Sequence, residues 1–397
     1  MKTKLVYTTL ILALCVACVP PRGKPSGQSV PGSFREETIT AGEVPPQTQQ
    51  NNTTGNPTVQ SQETGSIPQP QPQSGDENGI LLFDIGMHIE PFGASPSTLV
   101  GPDAIPGGSN KGDYTELNFF QRHVADLQKV ADIIKRHGGS LTIQAQTPFT
   151  TMAISNNNSI LADLARDGHE IALHFHEDAH LGKNTEKLST ETWCAVMKEE
   201  LGFVQQASGV SDIHYFSGGN LYPAIYQAAD CAGLDVHSDW KSPETQTTPL
   251  EMTGIWPWRP AGGTDGRNIA QFIHNDPQGS VVYLPEGIFD STDFASRRDS
   301  KDPASFQGYF DYLEQSFRNS LDAARIDRVN VFHFTIHIGE FRGNDQQPFA
   351  VIDQWLTDVI DPLVASGKVK WATFSQMADA FRAWEQANPG VDPRTVE

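Results

Sequence analysis

The sequence predicts an α/β fold: a (β/α) barrel of about seven or eight parallel strands, preceded by a disordered tether. Three observations predict it. Short apolar runs alternate with stretches of helical periodicity from Gly79 onward, and such alternation makes parallel strands. Polar residues cluster at the C-terminal ends of many of those runs, the face on which barrels build active sites. No G-x-G-x-x-G or P-loop pattern opens a helix after a strand, so a nucleotide cofactor is not expected.

Taken in order, Ile80-Leu81-Leu82-Phe83 opens a buried strand running toward His88. Phe119 to His137 reads as helix, because Phe120, Val124, Leu127, Ala131 and Ile134 recur at helical spacing before Gly138-Gly139. Leu141 to Gln144 is the next strand, Ile160 to Arg166 a short helix, and Glu170 to His176 a strand. Thr190 to Gln206 is helical, Ile213 to Phe216 a strand, Ala224 to Ala232 helix and Leu234 to Ser238 strand. Val281 to Leu284 is a strand, Phe306 to Ala324 a helix and Val329 to His337 a long buried strand. Phe349 to Ala365 is helix, Val369 to Ala372 strand, and Ser375 to Trp384 a closing helix.

The chain has 397 residues with 38% apolar, and acids outnumber bases 48 to 28, giving a net charge of −20. That sign repels phosphate backbones and anionic lipid, so nucleic acid is not an expected partner. Lys2 and Lys4 precede an apolar stretch from Leu5 to Ala13, then Leu14-Cys15-Val16-Ala17-Cys18. A basic start, a short apolar core and a small residue before the cut describe a secretory signal peptide. The segment resembles a bacterial lipoprotein signal, with Cys15 where such signals usually carry Leu. On that reading residues 1–17 are removed and Cys18 is the acylated first residue, holding the protein in the cell envelope, outer membrane, periplasmic or surface-facing; an ordinary signal cut nearby is the alternative. Residues 18–78 are a Pro-, Gln-, Ser- and Thr-rich linker that cannot bury enough apolar surface to offset chain entropy. Residues 79–385 form the barrel and 386–397 a C-terminal tail.

The densest group of candidate ligands is His174-Phe175-His176-Glu177-Asp178-Ala179-His180. Residues two apart on a strand face the same way, so His174 and His176 project into one mouth, and His180 can return from the following loop. Converging imidazoles suit one divalent ion of zinc type. On the first strand Asp84, Gly86, His88 and Glu90 share a face. His88 and Glu90, nearest the strand end, can reach the metal or its water, whereas Asp84 lies earlier, as an orienting or buried carboxylate. His337, last on its strand, suits a general acid, because imidazole titrates near neutral pH; His333 is deeper and reads as a core histidine. Asn220, Asp235, Trp240, Trp258, Arg259 and Glu286 are strand-end candidates for substrate contact, and Asp239 also follows a strand. Cys194 and Cys231 could pair in an oxidising compartment, but their placement on two different helices argues against it.

Together these stretches resemble the polysaccharide deacetylase family of the glycoside hydrolase/deacetylase barrel superfamily. Gly168-His169-Glu170-Ile171-Ala172-Leu173-His174 is similar to the family's second motif. Phe216-Ser217-Gly218-Gly219-Asn220 with Ala232-Gly233-Leu234-Asp235 resembles its third and fourth, and His337 occupies the place of its late histidine. Val369 to Met377 is similar to its closing strand and helix. Asp84-x-x-x-His88-x-Glu90 stands where the family has two adjacent aspartates, which marks a divergent branch. The resemblance implies a metal-dependent hydrolase acting on N- or O-acetyl groups of a cell-envelope or extracellular polysaccharide. A metal, here zinc, held by His88, His174, His176 and His180, polarises the carbonyl; Glu90 or Asp84 takes a proton and His337 gives one. Two other readings are a glycoside hydrolase using Glu90 with Glu286 or Asp235, and a tethered glycan-binding protein without activity.

Overall fold

The computed structural model describes residues 79–89, 116–182, 185–219, 224–239, 248–261, 269–289, 303–338 and 347–395, with 97, 99, 100, 114 and 222. Residues 1–78, Cys18 among them, lie outside the described residues, as do Glu90, Asn220 and Trp240.

Eight strands make one sheet: β1 (Leu81–His88), β2 (Leu141–Ala145), β3 (Glu170–Phe175), β4 (Tyr215–Gly218), β5 (Val236–Ser238), β6 (Val282–Tyr283), β7 (Asn330–His337) and β8 (Val369–Trp371). Every strand pair is parallel. The order is β6-β5-β4-β3-β2-β1-β7, with β8 joining the start of β1. The two ends of that order meet: the His333 amide donates to the Glu286 carbonyl at 3.3 Å. The sheet is therefore curled into a barrel, although among the described residues no ladder joins β6 to β7. A segment around Gly254 to Trp258 fills that seam, bridging antiparallel to Gly287 and Tyr283 and accepting the Val331 amide on the Ile255 carbonyl.

The helices are α1 (Leu117–Arg136), α2 (Phe149–Ser155), α3 (Ile160–Arg166), α4 (Glu177–Leu181), α5 (Thr190–Ser208), α6 (Ile225–Ala232), α7 (Ile269–Phe272), α8 (Pro303–Asp322), α9 (Gln347–Trp355), α10 (Asp361–Ala365) and α11 (Phe374–Ala387). The stretch expected as one helix from Phe349 to Ala365 is broken by a π-turn at Leu356–Ile360. No helix among the described residues is long and apolar enough to cross a membrane.

Two cores follow from strand parity. Outward residues such as Phe83, Ile85 and Met87 meet the helices in a large aromatic-rich cluster. Inward residues Ala172, Tyr215, Val236, Val282, Leu284 and Val331 meet Phe374, Met377, Ala378 and Phe381 of α11. Helix α11 thus plugs the N-terminal end of the barrel, each buried aromatic contributing about 2 kcal/mol. Polar residues secure the plug: Thr373 and Gln376 form a capping box, Arg259 grips Glu385 at 3.0 Å and Arg382 grips Asp235 at 2.9 Å. The tail beyond α11 lies back on the barrel, with the Arg394 guanidinium 3.9 Å from the Trp258 ring centre.

Cys194 of α5 and Cys231 of α6 are joined in a disulfide with Cα atoms 5.9 Å apart. The sequence placed them on separate helices, which is correct. The bond forms because α5 and α6 lie side by side, a proximity set by the order β3-β4-β5.

Candidate functional site

At the C-terminal end of the barrel, β1 and β7 run in register, so His88 stands opposite His337. Their rings are 5.0 Å apart, centre to centre. From β3, His174 stacks on His88 at 4.0 Å, and His176, just past the strand, lies 6.0 Å from His174. His88 and His174 are only 2% and 4% exposed. The Ser217 hydroxyl of β4 lies 2.7 Å from His174 Nδ1 and orients the ring. Asp239, just past β5, places Oδ2 3.8 Å from His88 Nε2. Its backbone is left-handed, with φ of 62°, a conformation that aspartate tolerates better than most residues. Five strand ends therefore bring four imidazoles, a hydroxyl and a carboxylate to one mouth.

The donor chemistry fits a divalent metal ion: neutral imidazole nitrogens with a carboxylate behind them are zinc-type ligands. Among the described residues, no three His, Cys, Asp or Glu side chains already converge on one point in ligating geometry. Glu286, at the inward position past β6, is buried, and its carbonyl accepts from the His333 amide.

Several expected site residues lie elsewhere. His180 does not return to the mouth, because the segment after His176 winds into α4, with the His180 amide bonded to the His176 carbonyl at 3.0 Å. That turn sends His180 to the outer wall, stacked on Phe175 at 5.2 Å. There Nε2 meets Gln146 Oε1 at 3.2 Å and Nδ1 lies 3.4 Å from Glu200. Asp235 precedes β5 instead of following it, so it sits at the plugged end, paired with Arg382 and His214. Arg259 is at that end too, bound to Glu385. Trp258 is buried, its Nε1 donating to the Phe272 carbonyl at 2.9 Å. None of these three faces the mouth.

Asp84 is sealed in the barrel interior, two inward positions below His88. Thr142 Oγ1 lies 2.6 Å from Asp84 Oδ2 and 2.9 Å from Glu170 Oε2, and accepts from the Phe374 amide at 3.2 Å. A hydroxyl has one proton, so Thr142 cannot donate to both carboxyls, and one of them holds a proton. Burial pushes Asp84 well above the usual carboxylate range and raises Glu170 as well. Asp84 thus lies sealed below His88 and bonded to Thr142, as the buried carboxylate reading expected. His333 is a core histidine as expected: burial depresses it to about 4, and Nε2 donates to the Leu284 carbonyl at 3.2 Å. Asp239 and Ser217 were visible only as strand-end residues; partnership with a histidine needs the register of neighbouring strands.

Glu200, behind His180, accepts from the Thr147 amide at 3.2 Å and its hydroxyl at 2.9 Å. Burial raises its carboxyl to about 7. A raised carboxyl contributes stability that is complete below its unfolded value near 4.5 and is lost as pH rises through 7. The shift corresponds to about 3 kcal/mol. Urea midpoints measured from pH 4.5 to 8 should fall with rising pH in the wild type, and Glu200→Gln should flatten that slope.

No family model matches the chain, and no curated protein matches it. Solved structures do resemble it. A candidate polysaccharide deacetylase from Mycobacterium smegmatis is 16% identical, with TM-score 0.49, over 84% of this chain and 98% of that one. A second, from Pseudomonas aeruginosa PAO1, is 14% identical, with TM-score 0.48, over 78% and 93%. Puue allantoinase is 15% identical, with TM-score 0.48, over 82% and 97%. The protein is a parallel (β/α) barrel with a histidine-lined mouth.

Proposed function

We propose that the protein is a metal-dependent hydrolase that removes acetyl groups from a cell-envelope or extracellular polysaccharide. The observation that carries this is the group of His88, His174, His176 and His337 at the C-terminal mouth, with Asp239 beside His88. His88, His174 and His176 would hold one divalent ion, zinc by the softness of the donors, which when bound polarises a carbonyl and acidifies water. Ser217 holds the His174 ring and Asp239 lies beside the His88 ring, so both imidazoles are oriented in advance. His337 holds the proton that the leaving amine or alcohol needs, a task suited to an imidazole near neutral pH. The near-complete burial of His88 and His174 keeps bulk water from the reacting carbonyl. Of the carboxylates a glycosidase could pair, Asp235 is at the plugged end, bound to Arg382. Incubating purified protein with acetylated glycans should release acetate without new reducing ends; reducing ends without acetate would sink the reading.

The same proposal places the protein in the bacterial envelope, lipidated on Cys18. The signal pattern supports it, and the Cys194–Cys231 bond fits an oxidising compartment. Metabolic labelling with a fatty acid should mark the wild type and miss Cys18→Ser.

A further inference from the structure

We propose that the barrel carries a second ligand site on its seam, where Arg394 anchors the carboxylate of a small organic acid whose flat apolar body lies against Trp256. The proposal is independent of the acetyl-hydrolase reading. A cavity of about 180 Å³ lies between the seam segment, the chain after β6, the end of α8 and the tail beyond α11. Ile255, Trp256, Trp258, Ile288, Ala323 and Arg394 line it. Its position is set by the foot of β7: the Ile255 carbonyl accepts the Val331 amide, and Trp256 Nε1 donates to Asn330 Oδ1 at 3.1 Å. Asn330 opens that strand and His337 closes it, so this cavity and the histidine mouth stand about 23 Å apart along the strand.

The cavity has a cation whose partner is missing. The Arg394 guanidinium lies 3.9 Å from the Trp258 ring centre, and Nη2 donates to the Glu251 carbonyl at 2.8 Å. Nη1 is buried and meets no acceptor among the described residues. No carboxylate there lies within ion-pair distance of Arg394. Arg259 and Arg382, at the same end of the barrel, bind Glu385 and Asp235. Asp392, two residues away in the chain, turns Oδ1 to the Arg394 amide at 2.9 Å. Burial draws the guanidinium below its ordinary value. A charge taken from water needs a partner, and a ligand carboxylate supplies both the charge and the acceptors that Nη1 lacks.

The walls select the rest of the ligand. Trp258 is buried and its Nε1 is bound to the Phe272 carbonyl, so the platform under Arg394 is fixed before any ligand arrives. Trp256 is half-buried and held by Asn330, and Ile255, Ile288 and Ala323 add apolar surface. Indole faces suit a flat apolar body. The volume is below the roughly 300 Å³ at which drug-sized sites begin, so one ring fits. With a net charge of −20 the protein repels anions in general, and a carboxylate is held only where a cation is placed for it.

Benzoate is the probe, and benzamide, of the same shape without the charge, is its control. In ligand-observed NMR titrations of the full chain, benzoate should bind with a Kd of about 1 mM or tighter and roughly tenfold more tightly than benzamide. Arg394→Gln should remove that margin, and Trp256→Ala should weaken both ligands. Arg394→Lys keeps the charge without the planar fork; it should retain part of the margin and serves if the glutamine variant does not fold. Benzoate no tighter than benzamide on the wild type, or a margin that survives in Arg394→Gln, overturns the proposal.

Discussion

His174→Ala should lose most bound divalent metal and about 10³-fold of acetate release while remaining folded. The ring it removes stacks on His88 at 4.0 Å and is pinned by Ser217, so its loss removes a ligand and unseats its neighbour. His176→Ala should behave alike. His337→Ala should keep the metal and lose turnover, because its task is to hold a proton. Metal content by emission spectrometry, with acetate release on the same preparations, separates these outcomes. Full metal retained in both His174→Ala and His176→Ala would put the site elsewhere. Metal lost from His337→Ala would make His337 a ligand and send the search for an acid to Glu286.

Replacing Cys194 and Cys231 together with alanine should destabilise the barrel by about 4 kcal/mol, the loop-closure entropy of a span of this length. The bridge closes 37 residues of chain that include β4 and the end of α5, and it clamps α6 to α5. Melting should fall by roughly 10 °C, and wild type under reducing conditions should approach the variant. Acetate release at low temperature should survive, since neither cysteine is near the mouth. An unchanged melting temperature would mean that the helix contact alone holds α5 to α6.

Strand and helix order was legible because burial on both faces of a parallel strand leaves continuous apolar runs, as in Leu81–His88 and Asn330–His337. Helix punctuation by glycine was equally local: Gly209 and Gly233 both adopt the left-handed C-cap conformation. Boundaries slipped where capping or a short helix intervened. Asp235 fell outside its strand by one residue, and α4 replaced an expected loop. Those two local differences moved Asp235 and His180 out of the site.

The sequence by itself determined the parallel alternation of strands and helices, and the strand-end histidines His88, His174, His176 and His337. Strand parity and apolar periodicity are properties of a few consecutive residues. Only the tertiary structure decided which strands are neighbours. Register across β1, β2, β7 and β3, β4 sets Gln144 beside His88 and Ser217 against His174, and the close of α6 on α5 joins Cys194 to Cys231. The burial that raises the Asp84 carboxyl likewise depends on α11 plugging the barrel from more than 280 residues away. Contacts of that separation are set by the global sheet order and the volume of the enclosed side chains, which no local pattern records.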